Sequence, residues 1–106
     1  MSTLSTHVLD TELGVPIIGL PVTLFRSEQR VAEAHTDHEG RIRHLAHLES
    51  GTYRIQFDAA AYFAAHSRAA PFLQVVSIEF AVDETTPHYH VPLLLSRYAC
   101  TSYRGS

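Results

Sequence analysis

At 106 residues, with 45% hydrophobic and 18% charged side chains, the sequence describes one folded domain and excludes a disordered or fibrous chain. Eleven acidic and eight basic side chains leave a formal net charge of -3 with no Lys/Arg cluster, which removes the electrostatic basis for a nucleic-acid partner. A lone cysteine (Cys100), no leader-like segment after Met1 and no apolar run near the roughly 20 residues of a membrane span point to the cytoplasm, without a membrane partner.

The first expected element is a strand from Leu4 to Asp10. Leu4, Thr6 and Val8 alternate there with Ser5, His7 and Leu9, the period that sends one set to a core and the other outward. "LGVP" at 13–16 is turn chemistry, after which Val22, Leu24 and Arg26 alternate with Thr23 and Phe25. "DHEG" at 37–40 and "ESG" at 49–51 are further turns, and Tyr53, Ile55 and Phe57 then alternate with Arg54 and Gln56. Asp58 is a plausible N-cap for an alanine-rich helix near 59–66, which Pro71 keeps from continuing. Val76, Ile78, Phe80 and Val82 alternate with Ser77, Glu79 and Ala81, and "DETTP" at 83–87 turns the chain again. In the last long strand Tyr89, Val91, Leu93 and Leu95 share one face, leaving His88, His90 and Ser96 on the other. Short strands with regularly spaced turns and one helical crossover predict a single mainly β domain over 1–106, a sandwich.

Histidine is over-used, at 7, 35, 38, 44, 47, 66, 88 and 90, and it is the side chain that changes charge near neutral pH. His88 and His90 share a strand face, an arrangement that suits a metal pair, a catalytic base or two solvated rings. A zinc site needs a third protein ligand, and neither Cys100 nor the scattered acids supply one by spacing. His7 sits on the outward face of the first strand, and Arg41 directly follows the turn glycine of "DHEGRIRHL".

Four stretches together are more specific than any of these residues alone. "LSTHVLDTELGVP" at 4–16, "TDHEGRI" at 36–42, "HYHVPLLLS" at 88–96 and the terminal "YRGS" resemble the transthyretin-related proteins, and within them the 5-hydroxyisourate hydrolases. The resemblance is colinear and leaves out only Met1 to Thr3. It implies a transthyretin-like β-sandwich of two four-stranded sheets with one short α-helix, assembled as a homotetramer with active sites where dimers meet. It implies hydrolysis of 5-hydroxyisourate, a small-molecule substrate, to 2-oxo-4-hydroxy-4-carboxy-5-ureidoimidazoline in urate degradation, with no metal and no cofactor. His7, Arg41 and His90 match the family's catalytic residues. Tyr103, Arg104, Gly105 and Ser106 match the tail that closes over the substrate, and His88 matches a supporting position beside it. Ala99 and Cys100 depart from the pattern, standing where relatives carry Gly and Tyr, and Ile17 and Ile18 stand where small residues are common.

The residue types suit that chemistry on their own terms. Opening the oxidised purine ring requires water to attack a carbonyl beside a ring nitrogen, and a positioned neutral imidazole contributes about 10²–10⁴-fold to such a step. An arginine fork matches adjacent carbonyl and ring-nitrogen acceptors and stabilises the developing oxyanion. Two other classes stay open: a carrier that binds an apolar ligand in its channel, and a zinc hydrolase built on His88 and His90.

Overall fold

The computed structural model describes residues 1–66, residue 68 and residues 72–106. In chain order the elements are β1 (Ser2–Asp10), β2 (Val15–Pro16), β3 (Pro21–Arg26), β4 (Gln29–His35), β5 (Arg41–Leu48), β6 (Gly51–Phe57), α1 (Ala59–Ala65), β7 (Val76–Val82), β8 (His88–His90), β9 (Leu93–Leu95) and β10 (Cys100–Ser102). Two sheets pack face to face, as the alternation predicts.

The sheet built on β1 has six segments that fill four strand positions. On one side β5 runs antiparallel to β1, from Ser2 opposite Leu48 to His7 opposite Arg41. On the other side the last long strand runs parallel to it, Thr3 beside His88 and Val8 beside Leu93. This strand breaks into β8 and β9 at Pro92, which has no N–H for the ladder. Val91 still donates its N–H to the Ser5 carbonyl at 3.0 Å, so the two halves stay in line. β10 completes the outer edge against β9, and the two-residue β2 covers Leu9 and Asp10 where β5 has ended. The second sheet is antiparallel in the order β4-β3-β6-β7.

The core between the sheets follows from the alternation. Leu4 and Val8 of β1, Leu24 of β3, Ile55 and Phe57 of β6, and Leu93 and Leu95 of β9 are all fully buried. Helix α1 starts as expected, with the Asp58 carboxylate accepting the Ala61 N–H at 3.1 Å, and it buries Ala59, Tyr62 and Phe63. Pro71, expected to stop it, lies outside the described residues.

Four strands were not anticipated: the two-residue β2, inside the stretch read as a turn, the three-residue β10, and β4 and β5, the last two hidden for opposite physical reasons. β4 is an exposed edge whose residues are mostly solvated, so its sequence has little apolar signal. β5 carries a bulge where the β1 pairing shifts between Leu4 and Thr6. Its buried residues therefore fall at Ile42, Leu45 and Leu48, a spacing of three that hides the strand period.

The Asp10 carboxylate, fully buried at the far end of β1, ties this frame to the helix. It accepts the N–H groups of Glu12 at 2.9 Å and Leu13 at 3.1 Å, the Tyr62 hydroxyl at 3.0 Å, and the Arg68 guanidinium. Arg68 also meets Glu12 at 2.8 Å, and Glu12 in turn meets Arg97 at 2.8 Å. Burial alone would raise the Asp10 carboxyl. Hydrogen bonds from Arg68, Leu13 and Tyr62 outweigh it and hold the group below the usual carboxylate range.

Candidate active site

The other end of β1 has no such closure. Thr3, Ser5 and His7 project from the sheet face opposite the core, and register brings a second row beside them. His7 pairs with Arg41 of β5, Thr3 lies beside His88, and Ser5 lies beside His90. Residues directly opposite in a ladder share a face, so imidazoles from β1 and β8 and a guanidinium from β5 meet there.

Arg41 is placed by the turn before it. The Asp37 carboxylate accepts the Glu39 N–H at 2.8 Å and the Arg41 N–H at 2.9 Å. These two bonds, the Arg41 one foremost, hold the Asp37 carboxyl below its ordinary value. Gly40 is required here on two counts. Its φ of +75° is left-handed, and a Cβ would stand 2.6 Å from the Val8 carbonyl oxygen. The approach lets Val8 donate its N–H to the Gly40 carbonyl at 2.8 Å, which anchors the turn on β1. Among the described residues no carboxylate pairs with the Arg41 guanidinium.

The C-terminal tail returns to β8. Gly105 donates its N–H to the His90 carbonyl at 2.8 Å and pairs with that residue as an isolated antiparallel bridge. A Cβ on Gly105 would lie 2.4 Å from His90 Cδ2, so only glycine allows the ring to occupy its position. A cavity of about 270 Å³ follows, lined by Ser5, Arg41, Arg43, His88, His90 and Ser106 among others. The half-buried His90 imidazole is held below the usual histidine range, first by burial and then by the charges of Arg41, His88 and His7, against a hydrogen bond to the Ser5 backbone that raises it. A neutral ring results near pH 7.

The remaining expected site residues lie around this cavity rather than in its wall. His7 gives its Nε2–H to the Glu39 carbonyl at 3.0 Å, because a carbonyl can only accept. Its neutral form therefore presents a bare Nδ1. Tyr103 and Arg104 line a separate cavity of about 220 Å³ with Ile78, Phe80 and Val91, and the Arg104 guanidinium sits 5.1 Å from the Tyr89 ring centre. Ser5, Thr6 and Arg43 join the first cavity without having been singled out from sequence. Of these Ser5 had a visible signal, since it shares the alternating face of His7. Among the described residues no three His, Cys, Asp or Glu side chains are grouped so as to hold a metal ion.

Known proteins share this framework. The 5-hydroxyisourate hydrolase of Caulobacter vibrioides is 43% identical, with all of both chains covered. The solved structure of Klebsiella pneumoniae 5-hydroxyisourate hydrolase superposes with a TM-score of 0.93 at 35% identity, again over both whole chains. Transthyretin from Sparus aurata superposes with a TM-score of 0.89 at 27% identity, over 96% of this chain and 95% of that one. A family-wide sequence profile, that of the HIUase/Transthyretin family, matches residues 4–105, and the chain belongs to that family.

Proposed function

We propose that the chain hydrolyses 5-hydroxyisourate, with His90 activating water, Arg41 holding the substrate and His7 assisting at its other side. The observation that carries this is the convergence of Arg41, His90 and Ser106 on one cavity, from segments that are far apart in sequence. The names of the relatives point to the same substrate.

His90 has one nitrogen committed: Nδ1 lies 2.7 Å from the Ser5 hydroxyl. Nε2 is left to take a proton from water as the water oxygen bonds the ring carbonyl carbon. The unpaired Arg41 guanidinium accepts the charge that builds on the carbonyl oxygen, as a preorganised donor that needs no rearrangement. When the C–N bond breaks, the same His90 Nε2–H supplies the proton the leaving nitrogen requires. His7, with Nδ1 bare and Arg41 as its register partner, accepts a hydrogen bond from a substrate N–H.

The assembly expected is a homotetramer with sites where dimers meet. Among the described residues β7 and β10 are each paired on one side only, and Ile78 of β7 lines the apolar cavity with Ser102 of β10. A second copy that extends both sheets would cover these edges together.

Freshly generated 5-hydroxyisourate, followed by its ultraviolet decay, tests the activity. The intact protein is expected to accelerate the decay, and Arg41→Lys to lose about 10²–10³-fold in kcat/KM because an ammonium cannot reproduce the planar fork. Decay at the uncatalysed rate with the intact protein would instead favour a carrier.

A further inference from the structure

Ser5 was not expected to do anything, yet its hydroxyl is shared by both histidines of β8. Ser5 Oγ lies 2.7 Å from His90 Nδ1 and 2.8 Å from His88 Nε2. The chain continues outward, because His88 Nδ1 contacts Thr3 Oγ1, which lies 3.5 Å from the Pro87 carbonyl. Ser5 is buried, His90 half-buried and His88 exposed, so the four groups run from the cavity wall to the surface.

A hydroxyl has one proton, so between two imidazoles it donates to one and accepts from the other. Only one ordering ends on a group that must accept. In it His90 Nδ1–H donates to Ser5 Oγ, the Ser5 hydroxyl donates to His88 Nε2, His88 Nδ1–H donates to Thr3 Oγ1, and Thr3 donates to the Pro87 carbonyl. This ordering leaves His90 Nε2 bare, the state a base requires.

We propose that Ser5 is a positioning residue that sets the His90 tautomer and links it to His88 as a proton relay. The proposal rests on the hydrolase reading above. Water gives its proton to His90 Nε2 as its oxygen bonds the carbonyl carbon. The His90 Nδ1 proton moves to Ser5 Oγ while the Ser5 hydroxyl proton moves to His88 Nε2, so the positive charge ends on the exposed ring. The shift reverses as His90 Nε2–H goes to the leaving nitrogen and the C–N bond breaks, which restores the starting state with no proton gained or lost. The benefit is electrostatic. Arg41 of β5, His7 of β1 and His88 of β8 surround His90, and an imidazolium there would stand beside the Arg41 charge throughout the reaction. Moving the proton to His88, which lies beside Thr3 and so one same-face position further along β1 from Arg41, separates the two charges.

Ser5→Ala is the test, with Ser5→Thr as the variant that keeps the hydroxyl. Ser5→Ala is expected to lower kcat by roughly 10–100-fold with KM within about 2-fold, and Ser5→Thr to recover most of that loss. Independently of any substrate, nitrogen-15 NMR of the intact protein should show His90 protonated at Nδ1, and Ser5→Ala should move the proton to Nε2. His90 found as the Nε2–H form in the intact protein, or unchanged kcat in folded Ser5→Ala, overturns the relay. If the intact protein fails to open 5-hydroxyisourate, the hydrolase assignment falls, and the tautomer measurement still decides whether Ser5 orders the two rings.

Discussion

The two ends of β1 handle polar groups in opposite ways. At Asp10 every demand of a buried carboxylate is met inside the chain by Arg68, Tyr62 and two backbone N–H groups. At Ser5 and His7 the neighbours are imidazoles, hydroxyls and a guanidinium with no carboxylate partner among the described residues. The first cluster is finished and holds the helix to the sheet. The second is unfinished, with ring nitrogens and an arginine fork that a ligand must complete. Unsatisfied hydrogen-bonding capacity, more than polarity as such, separates the candidate site from the structural knot.

Breaking the closed end should cost stability and leave chemistry alone. Asp10→Ala leaves the Tyr62 hydroxyl and two backbone N–H groups without their acceptor while Glu12 still pairs with Arg68, and is expected to cost about 1–3 kcal/mol, read as a fall in the urea midpoint. The hydrolysis rate per folded molecule should stay within about 2-fold, since additivity holds for separated sites. Breaking the open end should do the reverse. Gly105→Ala drives a methyl into the His90 ring and is expected to lower kcat by about 10²-fold, the scale of a misplaced catalytic group, with a nearly unchanged urea midpoint.

The smallest effect is in pH, and it sharpens the contrast. His90 is charged when protonated, and its folded value lies below the ordinary one. Its base form therefore persists below about pH 6.5, and the acid limb of kcat/KM should lie on the acid side of an unperturbed histidine. The same shift means the unfolded chain binds more protons in that window, so stability rises with pH through it. Asp10 has the same sign in a lower pH window. Its folded value is depressed, so its contribution is full above about pH 3.9 and is lost as pH falls through the folded value. An acid limb at or above that of free histidine would count against a buried, neutral His90.

Much of this was legible from residues. Alternation at Leu4, Thr6 and Val8 gave the central strand, and Asp58 before an alanine run gave the helix. "DHEG" ahead of Arg41 located the turn that aims it. What stayed hidden depends on geometry that sequence spacing does not carry. The β5 bulge replaces the two-residue period with a three-residue one, so Arg41 looked like the residue after a turn rather than the first of a strand. Ser5 was placed on the right face, but its bridging of two rings requires the parallel register of β1 and β8. Gly105 matched a motif, yet the reason for glycine is a 2.4 Å approach that only coordinates reveal.

The parallel pairing of β1 with β8 and β9 has a consequence for biosynthesis. Ser5 and His90 are separated by 85 positions, so one flank of β1 stays open through most of translation. Loop closure on that scale is slow and entropically costly, and an uncovered strand invites association with other chains. Nascent copies emerging together on one message are thus exposed to mispairing at β1, and chaperone protection should matter most just before β8 leaves the ribosome.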